Sequence, residues 1–155
     1  MSGPALFARV ASPIGDLLLS GGVEAITGVH LGRFAPPAGA REDPDAFVEA
    51  VGQLDEYFAG GRKEFDLPIA PAGTAFQLVV WDEVRAIPYG RTSTYGELAE
   101  RIGRPGAARA VGAANGANPI SILIPCHRLV GSKGELTGYS GGLGAKRRLL
   151  DLEAG

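Results

Sequence analysis

The chain has 155 residues, which suits one or two small domains, and its 45% hydrophobic and 21% charged content is ordinary for a globular protein. Its single cysteine excludes an intramolecular disulfide and a cysteine-rich zinc site, and two histidines argue against a histidine-based metal site. A formal net charge of −2 excludes a protein that is held on DNA by charge alone.

The charge is unevenly divided between the two halves of the chain. Residues 1–73 contain five Lys/Arg and ten Asp/Glu, whereas residues 74–155 contain ten Lys/Arg and seven Asp/Glu. A mildly basic second half fits a domain that faces a polyanion. Residues 1–4 carry no basic side chain and no apolar run approaches ~20 residues, so we expect no secretory signal, no membrane span and a cytoplasmic location.

The first half begins with a predicted antiparallel meander of three strands, at residues 6–10, 17–20 and 23–31. Turn residues separate the strands, with Pro13 and Gly15 in the first turn and a Gly-Gly pair in the second. Residues 34–43, rich in Pro, Gly and Ala, are expected to form a loop.

A helix is predicted after Pro44, because Phe47, Val51, Leu54 and Phe58 repeat at helical spacing and form one apolar face. A Gly-Gly pair ends it, and residues 64–67 are expected to form a short strand. Pro68, Pro71 and Gly73 mark a linker. We therefore predict an N-terminal domain at 1–70 and a C-terminal domain at 74–155.

The second half is predicted to be mainly helical. Thr74 can cap a helix that stops near Pro88, and Thr94 with Glu97 forms a capping-box pattern before a second helix. A glycine-containing turn at 103–106 leads to a helix at 107–115. Helix, glycine-containing turn and helix indicate a helix-turn-helix.

The helix at 107–115 is composed almost wholly of Ala, Gly and Val around Arg109. Such small side chains fit a helix that packs closely against a neighbour. They equally fit a helix that approaches a nucleic-acid backbone or enters a narrow groove. The sequence pattern alone leaves both interpretations open.

Cys126 follows a short β-prone apolar run and Pro125, and His127 and Arg128 come next. A lone cysteine is usually a buried small hydrophobe. His127 and Arg128 are costly to bury unpaired, so we expect a site that opens to solvent. A thiolate is a much better nucleophile than a thiol, and a neighbouring imidazole is a common way to form one, so this arrangement is typical of a reactive cysteine. A glycine-rich hairpin or loop at 131–142 and a helix at 145–153 complete the chain.

These motifs together resemble those of the O6-alkylguanine-DNA alkyltransferases, also called methylated-DNA–protein-cysteine methyltransferases, strongly over residues 74–153. The motifs that carry the resemblance appear in the following order: Phe76-Gln77, Val80-Trp81, Ile87-Pro88-Tyr89-Gly90, Tyr95-Gly96-Glu97-Leu98-Ala99, Arg109-Ala110-Val111-Gly112, Asn118-Pro119, Ile124-Pro125-Cys126-His127-Arg128 and Gly138-Tyr139-Ser140-Gly141-Gly142.

The resemblance implies a catalytic role for five residues. Cys126 would accept the alkyl group, and His127 would act through a water as the base that forms the thiolate. Glu153 would orient and polarise His127, and the pKa of Cys126 is then expected to lie below that of a free thiol; without the resemblance, Glu153 would be interpreted as a solvated helix end. Asn118 would brace the turn before the thiol, and Tyr95 would help rotate the phosphate and donate a hydrogen bond to the leaving guanine.

The resemblance also implies how damaged DNA is held. Arg109 would enter the base stack after the damaged base has been flipped out; its alternative interpretation is a surface charge. The small residues Ala110, Gly112 and Ala113 of the same helix would face the minor groove. Tyr139 would wall the pocket and Ser140 would contact O6. Lys146 would support the pocket, although a solvated lysine is equally compatible with the sequence.

The fold class implied is α/β, with a small N-terminal antiparallel sheet and a helix of the ribonuclease-H-like kind, followed by a C-terminal helical domain with the helix-turn-helix. The implied partner is double-stranded DNA containing O6-alkylguanine, and less readily O4-alkylthymine, with no cofactor, no metal and no obligate protein partner. The cysteines that hold a structural zinc in some relatives are missing from this chain. Two rival functions are a non-catalytic binder of alkylated DNA, which Cys126 opposes, and a cysteine hydrolase, which would turn over.

Overall fold

The computed structural model describes residues 5–32, 34–139 and 141–155. The N-terminal half is a four-stranded sheet in the order β3-β2-β1-β4. Strands β1 (Leu6–Val10), β2 (Leu17–Gly21) and β3 (Ile26–Leu31) form the expected antiparallel meander. The third strand starts three residues later than predicted, because Gly22 N donates to Ala25 O and closes a turn there.

The predicted loop at 34–43 contains a fourth, two-residue strand, β4 (Arg41–Glu42), which pairs in parallel with β1. A single-turn 3₁₀ helix, Pro44–Phe47, then leads into α1 (Val48–Phe58). Of the predicted apolar face, Phe47 of the 3₁₀ helix and Leu54 of α1 are buried and Val51 and Phe58 are partly buried; Tyr57 of α1 is buried in addition. The predicted strand at 64–67 is wrong, because the side chain of Gln53 bonds to both backbone groups of Asp66 in place of a neighbouring strand.

The C-terminal half contains helices α2 (Ala75–Arg85), α3 (Tyr95–Arg101), α4 (Ala108–Gly116) and α5 (Leu143–Ala154). Two short strands, β5 (Ser93–Thr94) and β6 (Leu129–Val130), pair in parallel. The predicted cap at Thr74 and the predicted capping box at Thr94 are both present, and Thr74 forms a full capping box as well. Each threonine hydroxyl accepts from the backbone N–H three residues on, and the side chains of Gln77 and Glu97 accept from the threonine N–H.

Helices α3 and α4 form the helix-turn-helix, and both glycines of its turn have positive φ. Helix α2 packs against α4 and α3, and its Trp81 Nε1 donates to Ala114 O over 2.8 Å. Buried side chains from both halves form one hydrophobic core among the described residues. No helix within 5–32, 34–139 or 141–155 is long and apolar enough to cross a membrane.

Candidate active site

Cys126 lies at the meeting point of the two halves of the chain. It begins a short 3₁₀ helix, Cys126–Arg128, and does not end a strand as the β-prone run before it predicted. The run fails to form a ladder strand because Ile122 adopts φ 73°, a left-handed conformation that is strained for a β-branched residue. Leu123 N then donates to Ser121 O over 2.8 Å, which folds the segment back on itself.

The backbone around the thiol is held from two sides. Asn118 Oδ1 accepts from Ile120 N over 2.9 Å, forming an Asx turn, and its Nδ2 donates to Ile124 O over 3.0 Å. From helix α4, Asn115 Nδ2 donates to Cys126 O over 3.1 Å. Asn118 therefore occupies the bracing position that the sequence predicted, and Asn115 links the helix-turn-helix directly to the nucleophile's backbone.

His127 and Arg128 are buried, and the expected solvent-facing arrangement is wrong for both. Both pair with Glu153 of α5, which is itself 5% exposed, so its interpretation as a solvated helix end is also wrong. His127 Nε2 lies 2.7 Å from Glu153 Oε2, and Arg128 Nε donates to Oε1 over 2.8 Å. Pairing removes the cost of burying these charges unpaired.

The Glu153 carboxylate determines which ring nitrogen of His127 carries the hydrogen. Burial alone would raise the pKa of Glu153, but the hydrogen bonds from His127 and Arg128 outweigh burial and lower that pKa to about 2. Because an ionised carboxylate only accepts, the hydrogen of His127 is on Nε2. Nδ1 is then a bare acceptor; it is buried and has no hydrogen-bond partner among the described residues.

Burial keeps both Cys126 and His127 in their neutral forms. It raises the pKa of the Cys126 thiol, although hydrogen bonding to Asn118 and the charge of Lys146 oppose the rise. The expectation of a thiol pKa below that of a free cysteine is therefore wrong for the free protein. Burial likewise lowers the pKa of His127. The resting site is a thiol beside a neutral imidazole, which can accept the thiol's proton.

A second group of predicted residues gathers around Thr137 and Tyr139, in the loop before α5. Lys146 of α5 is buried, so the alternative of a solvated lysine is wrong, and its Nζ donates to Thr137 O over 2.8 Å. The hydroxyl of Tyr95 lies 3.1 Å from the Thr137 hydroxyl. Tyr139 is also buried, and its hydroxyl has no partner among the described residues. Ser140, the predicted contact to O6, lies outside the described residues.

Helix α4 presents its small residues to solvent. Arg109, Ala110 and Ala113 are exposed and Gly112 is half-buried, whereas Val111, Ala114 and Asn115 face the core. A Cβ added at Gly112 would lie 3.7 Å from the ring of Tyr95, so the predicted DNA-facing helix and Tyr95 are in contact range. Within the described residues, no cluster of three or more His, Cys, Asp or Glu is placed to hold a metal ion.

Two family models match the chain. The DNA-binding domain of 6-O-methylguanine DNA methyltransferase matches residues 75–155, and its ribonuclease-like domain matches residues 6–71. A methylated-DNA–protein-cysteine methyltransferase of Mycobacterium tuberculosis is 50% identical over 95% of this chain and 91% of the relative. One of Methanosarcina acetivorans is 48% identical over 95% and 97%. The chain belongs to the 6-O-methylguanine DNA methyltransferase family.

Solved structures of the family agree with this assignment. The crystal structure of Mycobacterium tuberculosis OGT in complex with DNA superposes with a TM-score of 0.93 at 49% identity, covering 96% of this chain and 92% of that one. The Mycobacterium tuberculosis O6-methylguanine methyltransferase superposes with a TM-score of 0.91 at 48% identity, covering 97% and 93%. The α/β fold class inferred from the sequence is confirmed, with its small N-terminal sheet and C-terminal helical domain.

Four residues at this family site were missed by sequence reasoning. Arg128 was noted as costly to bury and as part of the motif at Cys126, but no role was assigned to it, although it makes two hydrogen bonds to Glu153. Asn115 had a detectable signal, because it is a polar residue on the buried face of a helix. Thr137 and Tyr57 gave no signal in the sequence, because their hydrogen-bond partners at the site are distant along the chain. Tyr57, for example, lies in α1, 96 residues before the Glu153 carboxylate that it contacts.

Proposed function

We propose that this protein repairs alkylated DNA by transferring the alkyl group from O6 of guanine, and less readily from O4 of thymine, to Cys126. The observation that carries the assignment is the buried series of Glu153, His127 and Cys126 in a chain of this family. Double-stranded DNA containing O6-alkylguanine is the substrate. A target base in a duplex must be flipped out before its O6 can reach a buried thiol.

The transfer begins from neutral partners. His127, oriented through Nε2 by the Glu153 carboxylate, has its bare Nδ1 acceptor available for the Cys126 proton, directly or through a water. Sγ then attacks the alkyl carbon, so that one S–C bond forms as the O6–C bond breaks. Guanine leaves with the electron pair of the broken bond on O6 and is protonated there or on the ring. Because the product is a stable thioether, each molecule acts once.

The remaining predicted residues position the substrate. Lys146 brings a positive charge beside the thiol and, with Tyr95, fixes Thr137 of the loop that carries Tyr139. Tyr139 forms an apolar wall and Ser140 contacts O6. Arg109 fills the gap in the base stack, and the small side chains Ala110, Gly112 and Ala113 let α4 approach the minor groove. Asn118 keeps the thiol segment in register.

The stoichiometry of the reaction tests this function. The protein is incubated with excess duplex that carries one O6-methylguanine, and the reaction is followed by intact and peptide mass spectrometry. We expect one methyl group per molecule, on Cys126 only, after which repair stops. Cys126→Ser is expected to bind the same duplex and transfer nothing. Continued turnover would indicate a hydrolase, and binding without any label on the wild-type protein would indicate a non-catalytic DNA binder.

A further inference from the structure

Tyr57 brings the N-terminal half of the chain into contact with the catalytic carboxylate. Its side chain is completely buried, and its hydroxyl donates to Glu153 Oε2 over 2.5 Å. Tyr57 lies on the last turn of α1, whereas Glu153 lies on the last turn of α5. The contact therefore joins two helices that are far apart in sequence.

The hydroxyl of Tyr57 shares its acceptor with the imidazole. Glu153 Oε2 receives Tyr57 Oη, His127 Nε2 at 2.7 Å and Arg128 Nη2 at 3.0 Å, while Oε1 receives Arg128 Nε. Donors on one oxygen compete for the same negative charge. Each hydrogen bond that Tyr57 donates reduces the charge that the carboxylate presents to His127.

The position of the Tyr57 hydroxyl is fixed by its surroundings. The ring packs edge-on against Phe58 and Tyr89, with centroids 5.4 and 6.2 Å away, and in a tilted arrangement against Phe65 at 5.3 Å. Burial, followed by the charge of Glu153, raises the pKa of Tyr57. The phenol is therefore protonated at every physiological pH and is a permanent donor.

We propose that Tyr57 is a positioning residue of the alkyl transfer, which holds the Glu153 carboxylate in place and limits the negative charge that it presents to His127. This inference rests on the proposed function, in which Glu153 and His127 activate Cys126. The N-terminal half thereby contributes a side chain to the catalytic series, and its role extends beyond support for the C-terminal half.

The effect of Tyr57 on the titration of His127 has to be separated from that of the other polar groups near His127 and Glu153. These groups are Cys126 and Arg128 of the 3₁₀ helix at the thiol, Lys146 of α5, Tyr89 of the loop after α2 and Tyr139 of the loop before α5. All of them are retained when Tyr57 is changed to Phe. A change in the titration of His127 in that variant then reports the loss of one hydroxyl.

The titration of His127 can be read directly, because the chain has only two histidines. In Tyr57→Phe, Glu153 Oε2 loses a donor and its charge stabilises the imidazolium more strongly. We expect His127 to titrate at higher pH than in the wild type, and the acid limb of the pH–rate profile to move the same way. Because Tyr57 no longer holds the Glu153 carboxylate in place, alkyl transfer at neutral pH should slow on the order of tenfold. Nitrogen-15 NMR of labelled histidine measures the titration, with His30 on β3 as the internal reference.

Two further variants separate positioning from stability. Gln53→Met removes two partly buried hydrogen bonds from the preceding turn of α1 and does not change any contact of Glu153. We therefore expect it to destabilise the protein and leave the His127 titration unchanged. Site-specific 3-fluorotyrosine at 57 keeps the hydroxyl but makes it a stronger donor. It should shift His127 to lower pH, opposite to Tyr57→Phe, and remains measurable if the Phe variant does not fold.

The proposal is overturned if His127 titrates identically in the wild type, Tyr57→Phe and the fluorotyrosine protein. It is also overturned if Tyr57→Phe slows transfer no more than Gln53→Met does and the pH–rate profile of Tyr57→Phe is that of the wild type. Failure of the proposed function gives a different result, since the wild-type protein would then carry no methyl group on Cys126 whatever the behaviour of His127.

Discussion

Glu153 is the residue at which most of the site's polar interactions converge. One carboxylate accepts hydrogen bonds from His127 and Arg128 of the 3₁₀ helix at the thiol and from Tyr57 of α1. Arg128 is itself fixed by a bond of 2.7 Å to Ile87 O and by the ring of Tyr89, 5.7 Å from its guanidinium carbon. A buried charge with this many partners is an acceptor of fixed position, which suits a group that orients an imidazole.

The lowered pKa of Glu153 predicts how stability depends on pH. Between its ordinary value of 4.5 and its folded value of about 2, the unfolded chain binds a proton at this carboxyl and the folded chain does not. Stability therefore falls as the pH falls through this window, by on the order of 3 kcal/mol from this group. Glu153→Gln should be less stable at neutral pH and should lose this part of the acid dependence.

Urea unfolding at several pH values between 6 and about 2.5 measures the effect on the free energy of unfolding. The control is Glu56→Gln, because Glu56 is exposed and pairs with Arg62 at the surface. This variant should keep the wild-type acid dependence. An acid dependence as steep in Glu153→Gln as in the wild type would remove Glu153 as the source.

At the level of secondary structure, the sequence predicts best the features that depend on neighbouring residues. The cap at Thr74 and the capping box at Thr94 were predicted correctly because the groups involved lie within three residues of each other. The strand expected at 64–67 was not found, because a distant side chain, Gln53, satisfies its backbone. Strand β4 was missed because its two exposed residues carry no hydrophobic pattern.

The proposed catalytic residues also differ in how far the sequence predicts them. The motif around Cys126 and its neighbour His127 could be recognised from local sequence, and Glu153 and Lys146 through the family resemblance. Their burial and protonation could not be predicted, since these depend on how α1 and α5 pack around the thiol. The pKa of Cys126 is the clearest case: polarisation of His127 by Glu153 predicts a lowered pKa, whereas burial of the thiol raises it.

Helix α4 carries one exposed charge, Arg109, on a face of small residues, and this element provides a test of base flipping. Extruding a paired base costs a few kcal/mol, and a free nucleobase has no such cost. We expect Arg109→Ala to slow repair of duplex DNA on the order of tenfold or more. The reaction of the same variant with free O6-benzylguanine should change little.

The matched control is Arg41→Ala, which removes an exposed arginine of β4 and makes the same change in net charge. It should leave the rates on both substrates near the wild-type values. A modest loss for Arg109→Ala on duplex that disappears at high salt would make Arg109 a surface charge only. Equal losses on duplex and free base would place it in the chemistry or the fold.

Backbone hydrogen bonds as well as side-chain contacts join the N-terminal and C-terminal halves of the chain. Val29 of β3 donates to Pro119 O over 2.9 Å and accepts from Ser121 N over 3.1 Å, so the edge of the N-terminal sheet pairs with the thiol segment. A Cβ added at Gly141 would lie 2.8 Å from the side chain of Leu31, which places the pocket loop against the same strand. The N-terminal sheet therefore supports both the nucleophile and the pocket.

These contacts predict that the two halves unfold together. The hydrophobic core is continuous among the described residues of both halves, and the Tyr57–Glu153 bond crosses between them, so neither half can unfold without exposing apolar surface of the other. The chain offers one reporter in each half: Trp81, its single tryptophan, buried in α2, and His30 on β3. Trp81 fluorescence, the native NMR signal of His30 and far-ultraviolet circular dichroism should give one urea midpoint. If the His30 signal is lost at lower urea than the Trp81 fluorescence, the N-terminal half unfolds separately and the contacts at Val29 and Tyr57 contribute little to stability.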